Sequence, residues 1–214
     1  MLYNPTAFKV DDRDTILDQI AAAGLAMLVV NGTAGPLVAH VPMVLHRERG
    51  AHGVLAGHLA RINPIIEHAD TCADAVAVFP GPDAYISPNW YPSKAEHHRV
   101  VPTWNYIVVQ ARGRLRFIHD AVWLHENVSA LTAKHEASQT QPWAVTDAPE
   151  RFVDMQLKAI TGFELEISAL NGKAKLSQNR NQADRDGVVA GLDCENTPAA
   201  HEMRERVKRA MDTS

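Results

Sequence analysis

The spacing of apolar residues changes from a helical to a strand-like period near the start of the chain. Residues 11–23 place Ile16 and Ile20 on one face and end before Gly24, so they predict a first helix with an aspartate as its cap. Residues 25–31 form a continuous apolar run, which predicts a strand. The same two patterns recur along the chain and give its remaining elements.

Six further strands are predicted from short apolar or alternating runs between turn residues. They cover residues 37–46, 53–59, 75–79, 84–87, 100–118 and 162–170, and the first two of them form a hairpin. Pro42 lies inside the first of these strands, which suggests a sheet edge or a bulge. We also expect a turn at residues 81–83, a break near Gly113 and a tight turn at residues 171–172.

Five more helices complete the prediction. A short helix opens at Pro64 with Asn63 as its N-cap. The others cover residues 121–136, 150–160, 184–192 and 198–211, and residues 88–98 and 138–149 are loops. The strands do not alternate regularly with helices, which favours a mainly β protein, an antiparallel barrel with helical additions, over a doubly wound sheet. We expect one domain over residues 1–214, with a helical extension at about 180–214.

Composition narrows the class of protein. Apolar residues make up 46% and charged residues 21%, as in ordinary globular proteins, and the formal charge of -4 gives no general attraction to nucleic acid or anionic membrane. Cys72 and Cys194 lie far apart, and the first ten residues show no secretory leader pattern. The longest apolar run, residues 24–30, is too short to cross a bilayer. We therefore expect a soluble cytoplasmic protein.

Two segments carry groups that suit a phosphate or a flat ring. In residues 57–64 a strand ends and a helix begins, so Arg61, Asn63 and free helix amides could bind a phosphate; alternatively, Asn63 only caps the helix and Arg61 is solvated. In residues 39–45 the proline interrupts the strand ladder, so backbone groups could meet a ligand; alternatively, this is a plain edge strand. The histidines show no metal-binding spacing, and we assign no metal site.

Two later segments offer aromatic and basic side chains. Residues 85–91 and 101–106 carry rings with Ser, Thr and Asn between them, which suits a flat heteroaromatic ligand, a dimer interface or an aromatic core cluster. Residues 172–180 carry Lys, Gln, Asn and Arg, which could meet a phosphate or a flavin edge, or could form a basic surface loop. No nucleophile elbow, Walker loop or paired carboxylates stand out, so no catalytic residue is assigned and any chemistry would come from a cofactor.

The order of these motifs resembles that of the PaiB-type FMN-binding negative transcriptional regulators. The motifs are His-Val-Pro (40–42), Gly-His-Leu-Ala-Arg-Ile-Asn-Pro (57–64), Tyr-Ile-Ser-Pro-Asn-Trp-Tyr (85–91), Val-Pro-Thr-Trp-Asn-Tyr (101–106) and Lys-Leu-Ser-Gln-Asn-Arg (175–180). The likeness extends from Met-Leu-Tyr-Asn-Pro (1–5) to Gly-Val-Val-Ala-Gly-Leu (187–192). It implies a split β-barrel that binds FMN at the interface of a homodimer.

The resemblance also implies a set of cofactor contacts. Residues 40–45 would line the isoalloxazine ring, His58, Arg61 and Asn63 would hold the phosphate end, and residues 103–106 would face the flavin. The remaining contacts could come from the other subunit. The full set is His40, Val41, Pro42, Met43, His58, Arg61, Asn63, Thr103, Trp104, Asn105, Ser138, Gln139, Lys175, Ser177 and Gln178.

Three functions remain open at this point. The family name implies gene repression in bacteria, with FMN or its redox state biasing a conformation or a partner. The alternatives are an FMN-dependent oxidoreductase on the same barrel, and a scaffold that has lost its flavin, against which Arg61 and Asn63 count. DNA binding follows from the resemblance alone, since no helix-turn-helix stands out. The basic run at 204–209 is flanked by acids and indicates a solvated or dimer-packing helix face.

Overall fold

The computed structural model describes residues 3–212. Four residues lie outside the described residues: Met1, Leu2, Thr213 and Ser214. Met1 and Leu2 belong to the Met-Leu-Tyr-Asn-Pro segment at which the family resemblance begins. The strands of the described residues are β1 (Lys9–Val10), β2 (Ala26–Gly32), β3 (Gly35–Val41), β4 (Val44–His46), β5 (Val54–Ala60), β6 (Asp74–Ile86), β7 (Thr103–Ile118) and β8 (Ile160–Lys175). Their α-helices are α1 (Arg13–Ala22), α2 (Pro64–His68), α3 (Ser93–His97), α4 (Ala121–Glu136), α5 (Glu150–Lys158), α6 (Gln182–Glu195) and α7 (Pro198–Asp212).

The chain divides into two compact units, and each is described by itself. The first unit comprises residues 3–13, 80–109 and 171–212, and the second comprises residues 14–79 and 110–170. The strands β6, β7 and β8 contribute to both units. The expectation of one domain over the whole chain stays a prediction.

The sheet has the strand order β3-β2-β6-β7-β8-β5-β4, with β1 added to β8. The pairs β1–β8, β2–β3, β2–β6, β4–β5 and β5–β8 are antiparallel. Thus the two end strands, β3 and β4, are consecutive in the chain and are separated by Pro42 and Met43 alone. Two intervening residues let Val41 and Val44 lie at most roughly 11 Å apart. The sheet in the second unit must therefore curl until its two edges meet, which makes an open barrel.

Local sequence explains several of these elements. Gly32 pairs with Gly35 in the tight β2–β3 hairpin, where the positive φ of Gly35 favours glycine. The side chain of Asn63 accepts a hydrogen bond from the backbone N–H of Ile65, and Pro64 opens α2, as predicted. Asp120 caps α4 in the same way. The predicted hairpin of residues 37–46 and 53–59 is confirmed in its second half, as β4 pairs with β5.

Three predictions about strand interruptions differ from the structure. The strand predicted at 37–46 is two strands, because Pro42 ends the ladder of β3. The turn predicted at residues 81–83 is wrong, because β6 continues there. Only residues 76–78 of β6 pair with β2. Pro80 and Pro82 lie beyond these residues, so their missing N–H groups remove no hydrogen bond to β2. The break predicted near Gly113 is wrong as well. A Cβ there would lie 1.8 Å from the carbonyl oxygen of Glu166, so the glycine serves the close approach of β7 to β8.

Two further elements were mispredicted. The tight turn predicted at residues 171–172 is absent because β8 continues to Lys175, and β1 pairs with it at Gly172 and Lys173. The loop predicted at 88–98 contains a 3-10 turn (Pro88–Trp90) and α3. The described residues thus hold eight strands rather than the predicted seven.

Each unit has its own buried apolar residues. In the first unit these are Ile86, Tyr91, Leu176, Val188, Leu192, Ala200, Met203 and Val207. Trp90 packs against α6, where a Cβ at Gly191 would lie 2.1 Å from its ring and a Cβ at Gly187 1.9 Å from its carbonyl oxygen. In the second unit, the largest fully buried side chains include Leu28, Leu55, Ile65, Phe79, Phe163 and Leu165. The glycines of the 187–192 motif are therefore needed for helix packing.

Candidate functional site

The structure distributes the predicted cofactor residues over the two units. The second unit holds His40, Val41, Pro42, Met43, His58, Arg61, Asn63, Ser138 and Gln139. The first unit holds Thr103, Trp104, Asn105, Lys175, Ser177 and Gln178.

The segment around Pro42 has less free backbone than expected. His40 is exposed on β3, whereas Val41 and Met43 are buried. The Nζ of Lys134, on α4, donates to the carbonyl oxygen of Met43 at 3.2 Å and to that of Ala23 at 2.8 Å. The Met43 carbonyl is therefore already hydrogen-bonded, and burial lowers the pKa of Lys134. Lys134 fixes the junction between the two edge strands.

Arg61 is the freest cation among the predicted phosphate residues. Its side chain is exposed, and Nη2 makes one hydrogen bond, to the carbonyl oxygen of Ile160 at 3.2 Å. Asn63 uses its side-chain oxygen to cap α2. His58 is partly buried, burial lowers its pKa, and its Nδ1 lies 3.5 Å from the Nδ2 of Asn127. Ser138 and Gln139 follow α4 and are exposed.

In the first unit the predicted residues do converge. The Nζ of Lys175 donates to the side-chain oxygen of Thr103 and, at 2.7 Å, to the carbonyl oxygen of Trp104. Asn105 and Ser177 are buried and hydrogen-bonded to each other at 3.0 Å. Gln178 closes its own turn by accepting from the Leu176 N–H and donating to the Ala174 carbonyl. Most polar atoms of the 175–180 motif are thus used inside the unit, where they join β7 to β8.

Basic and aromatic side chains beside this cluster form a surface that a ligand can contact. Burial and the nearby cations Lys173 and Arg180 lower the pKa of Lys175. An open apolar cleft of about 360 Å³ is lined by Pro80, Gly81, Asp83, Trp104, Tyr106, Ile107 and Val108. Trp104 is 53% exposed, and its ring meets Tyr85 edge-to-face at 6.0 Å. Such a surface can cover a flat ring or a second protein surface.

Sequence reasoning missed a buried carboxylate in the second unit. The side chain of Glu164 is 3% exposed, and it accepts a two-pronged hydrogen bond from Arg49 at 2.7 and 2.9 Å. Arg116 and the indole N–H of Trp123 donate to the same carboxylate. Burial opposes its ionisation, but these hydrogen bonds outweigh burial and hold the pKa of Glu164 at about 2. Glu164 and Glu166 alternate with apolar residues in the sequence, a pattern that predicts a solvent-facing side chain, so it gave no signal for this site.

Three charges of the basic run at 204–209 have acidic partners. Arg204 pairs with Asp193 and Glu205, Arg206 pairs with Glu202, and Lys208 pairs with Glu205. These pairs lie on or beside α7 and leave little surplus positive charge there. They agree with a solvated or packing helix face.

Within residues 3–212, no helix is long and apolar enough to span a membrane. Over the same residues, no group of three or more His, Cys, Asp or Glu side chains is arranged to hold a metal ion.

The sequence matches a family of flavin-binding domains. The family profile described as "Putative FMN-binding domain" covers residues 2–169, and the chain therefore belongs to this family. The chain is 29% identical over 204 residues to "Protease synthase and sporulation protein PAI 2" of Bacillus subtilis, covering 95% of both chains. It is 32% identical to an uncharacterized protein of Emericella nidulans, covering 86% of this chain and 88% of that one. The resemblance to the PaiB type is confirmed, and a bacterial origin stays a prediction because fungi have similar proteins.

Solved structures confirm the fold class. A conserved hypothetical protein of Mycobacterium tuberculosis superposes with a TM-score of 0.58 at 10% identity, covering 85% of this chain and 95% of that one. The flavocytochrome Anf3 of Azotobacter vinelandii superposes with a TM-score of 0.55 at 15% identity, covering 78% of this chain and 69% of that one. The protein is an antiparallel split barrel with added helices, as predicted.

FMN is the cofactor of this family. The exposed guanidinium of Arg61 suits a phosphate, because one weak hydrogen bond leaves most of its N–H groups available. The open cleft beside Trp104 suits a flat apolar ring. When bound, FMN would supply electron-transfer chemistry. The chain's own residues would bind and orient it.

Proposed function

We propose that the chain is a cytoplasmic, homodimeric FMN protein that acts as a negative regulator of transcription. The observation that carries the proposal is the open aromatic surface around Trp104, which lies beside the Lys175 cluster in the first unit. A flavin and a second subunit both need such a surface, and homodimer interfaces are enriched in exposed rings of this kind. Cys72 and Cys194 are unpaired and exposed, which supports a reducing compartment.

The phosphate end of FMN is assigned to Arg61. A charged hydrogen bond to phosphate contributes about 1.5–3 kcal/mol, so Arg61→Gln should weaken FMN binding about tenfold or more. Arg151→Gln changes an exposed arginine of α5 in the same unit and serves as the control. Equal FMN affinity in both variants, measured by flavin fluorescence titration, would refute the assignment.

The dimer is assigned to the surface of β7 that carries Trp104. Trp104→Glu places a charge on this surface and should give a monomer by light scattering, because burying an unpaired carboxylate is costly. Val122→Glu changes an exposed residue of α4 and should leave the dimer intact. A Trp104→Glu protein that stays dimeric would place the interface elsewhere.

The regulatory role is supported by the relative named for sporulation and protease synthesis. The ion pairs of α7 argue that DNA contact, where it occurs, does not use that basic run. A mobility shift with DNA from upstream of the gene tests the role in the apo, oxidised and reduced states of the flavin. We expect a shift that depends on FMN or on its redox state. No shift in any state would contradict the proposal, and bleaching of the flavin by NADH or NADPH without air would favour the oxidoreductase.

A further inference from the structure

A cavity lies under α4 in the second unit, and none of the predicted flavin residues lines it. Its volume is about 310 Å³, within the range of small-molecule pockets. It is lined by His46, Arg49, Trp123, Glu126, Asn127 and Ala130. The cavity therefore combines a cation, an exposed carboxylate, an aromatic ring and an amide.

The amide of Asn127 lacks a partner on one side. The residue is 6% exposed, and its Oδ1 has no hydrogen-bond partner among the described residues. Its Nδ2 has one neighbour, the Nδ1 of His58, at 3.5 Å. If the amide oxygen and nitrogen are exchanged, the nitrogen instead of the oxygen lacks a hydrogen-bond partner. A buried polar atom in a cavity wall without a partner is costly, and a ligand can satisfy it.

Arg49 supplies the positive charge of the cavity, and Glu126 adds an exposed negative charge to its wall. Its Nη1 and Nη2 donate to Glu164, which leaves other N–H groups of the same guanidinium available. Glu164 is shared with Arg116, so two guanidinium groups meet one carboxylate. Glu166 adds a negative charge near Arg49 at longer range. Burial and the Arg49 charge lower the pKa of His46, so Arg49 is the principal cation of the wall.

Trp123 forms a fixed flat wall. Its indole N–H donates to Glu164 at 3.1 Å. A Cβ at position 162 would lie 2.3 Å from the Trp123 ring, so only glycine admits the ring there. The ring is therefore held in place without a ligand, and a planar group can pack against it at small entropic cost.

We propose that this cavity binds a small planar carboxylate that carries a hydrogen-bond donor. Arg49 meets the carboxylate, Trp123 packs against the plane, and Asn127 accepts from the donor. The site is distinct from the flavin site and does not depend on the proposed regulatory role. His58 is the one predicted flavin residue in contact with it, through Asn127.

The test uses flavin-loaded protein and calorimetric titration with 4-hydroxybenzoate. Benzoate lacks the donor, and 4-hydroxybenzyl alcohol lacks the charge. We expect saturable millimolar binding of 4-hydroxybenzoate and weaker binding of both analogues, because each loses one polar contact. No saturable binding of 4-hydroxybenzoate, or equal binding of the uncharged alcohol, overturns the proposal.

Matched variants locate the site. Ala130→Leu fills the cavity from α4 and should weaken binding about tenfold or more. Ala133→Leu places the same side chain on an exposed position of the same helix and should change nothing. Circular dichroism checks the fold, and the more flexible Ala130→Met replaces Ala130→Leu if that variant unfolds. If a folded variant at position 130 binds 4-hydroxybenzoate as tightly as the wild type, the ligand does not bind in this cavity. If saturating 4-hydroxybenzoate releases FMN, the cavity is not distinct from the flavin site.

Discussion

Replacing Glu164 by glutamine should destabilise the protein in a way that depends on pH. Glutamine keeps the shape of the side chain but removes the charge that Arg49 and Arg116 share. The carboxylate is almost fully buried, so its hydrogen bonds, rather than solvent, compensate for the loss of hydration. The variant therefore measures what this cluster contributes to folding.

The magnitude follows from the shift in the pKa of Glu164. The pKa falls from an ordinary value of 4.5 to about 2 in the folded protein. At about 1.4 kcal/mol per unit, this shift corresponds to roughly 3 kcal/mol of stability at neutral pH. The Arg49 and Arg116 side chains are 44% and 65% exposed, so solvent screens part of the attraction. We expect Glu164→Gln to lower the free energy of unfolding by about 2 kcal/mol.

The sign of the pH dependence is fixed by the direction of the shift. A carboxylate with a depressed folded pKa stabilises the protein fully above its unfolded pKa. That contribution is lost as pH falls from about 4.5 towards 2. The wild type loses it over this interval, whereas the glutamine variant has none to lose. The difference in stability between the two proteins should therefore shrink as pH falls.

Urea unfolding followed by circular dichroism measures this difference at neutral pH and at several acidic values. Glu166→Gln is the matched control, because the Glu166 side chain is exposed on the same strand, makes no hydrogen bond within the described residues and attracts Arg49 only at longer range. We expect that variant to stay within about 0.5 kcal/mol of the wild type. A Glu164→Gln deficit that is absent, or that stays constant as pH falls, would refute the reasoning.

Two further substitutions test the packing of each unit. Gly162→Ala should cost about 1–3 kcal/mol by thermal unfolding, because its Cβ would displace Trp123, whereas Gly24→Ala, which meets no atom within 4 Å, should be nearly neutral. Equal effects of the two glycine variants would contradict the assigned close approach. Asn105→Ala should cost about 1–3 kcal/mol because it leaves the buried hydroxyl of Ser177 without its partner. An unchanged melting temperature would show that this hydrogen bond contributes little.

The sequence correctly predicted the elements that are determined by residues adjacent in the chain. The N-cap at Asn63 and the helix at 121–136 were predicted from adjacent residues. The continuity of β8 could not be predicted from such patterns, because pairing with β1, rather than the intrinsic preference of Asn171, decides whether this strand continues. Gly113 was misread for the same reason, since its cause is the backbone of Glu166, far along the chain.

The candidate sites also depend on contacts between residues that are far apart in the chain. The run at 175–178 was predicted to reach the flavin, but the sequence did not reveal that Lys175 contacts Thr103 on β7 or that most polar atoms of the motif bond within the first unit. The Glu164 cluster joins residues 48 and 115 positions apart, so no spacing rule could indicate it. The alternation of Glu164 and Glu166 with apolar residues predicts that both acids face solvent, yet Glu164 is buried.

The proposed FMN-bound homodimer can be tested in solution. Light scattering across a size-exclusion peak, with the visible flavin absorption recorded at the same time, tests it most directly. We expect a single peak of twice the chain mass that carries about one FMN per chain after incubation with the cofactor. A flavin-bound peak of one chain mass, or a dimer that binds no FMN, would contradict it.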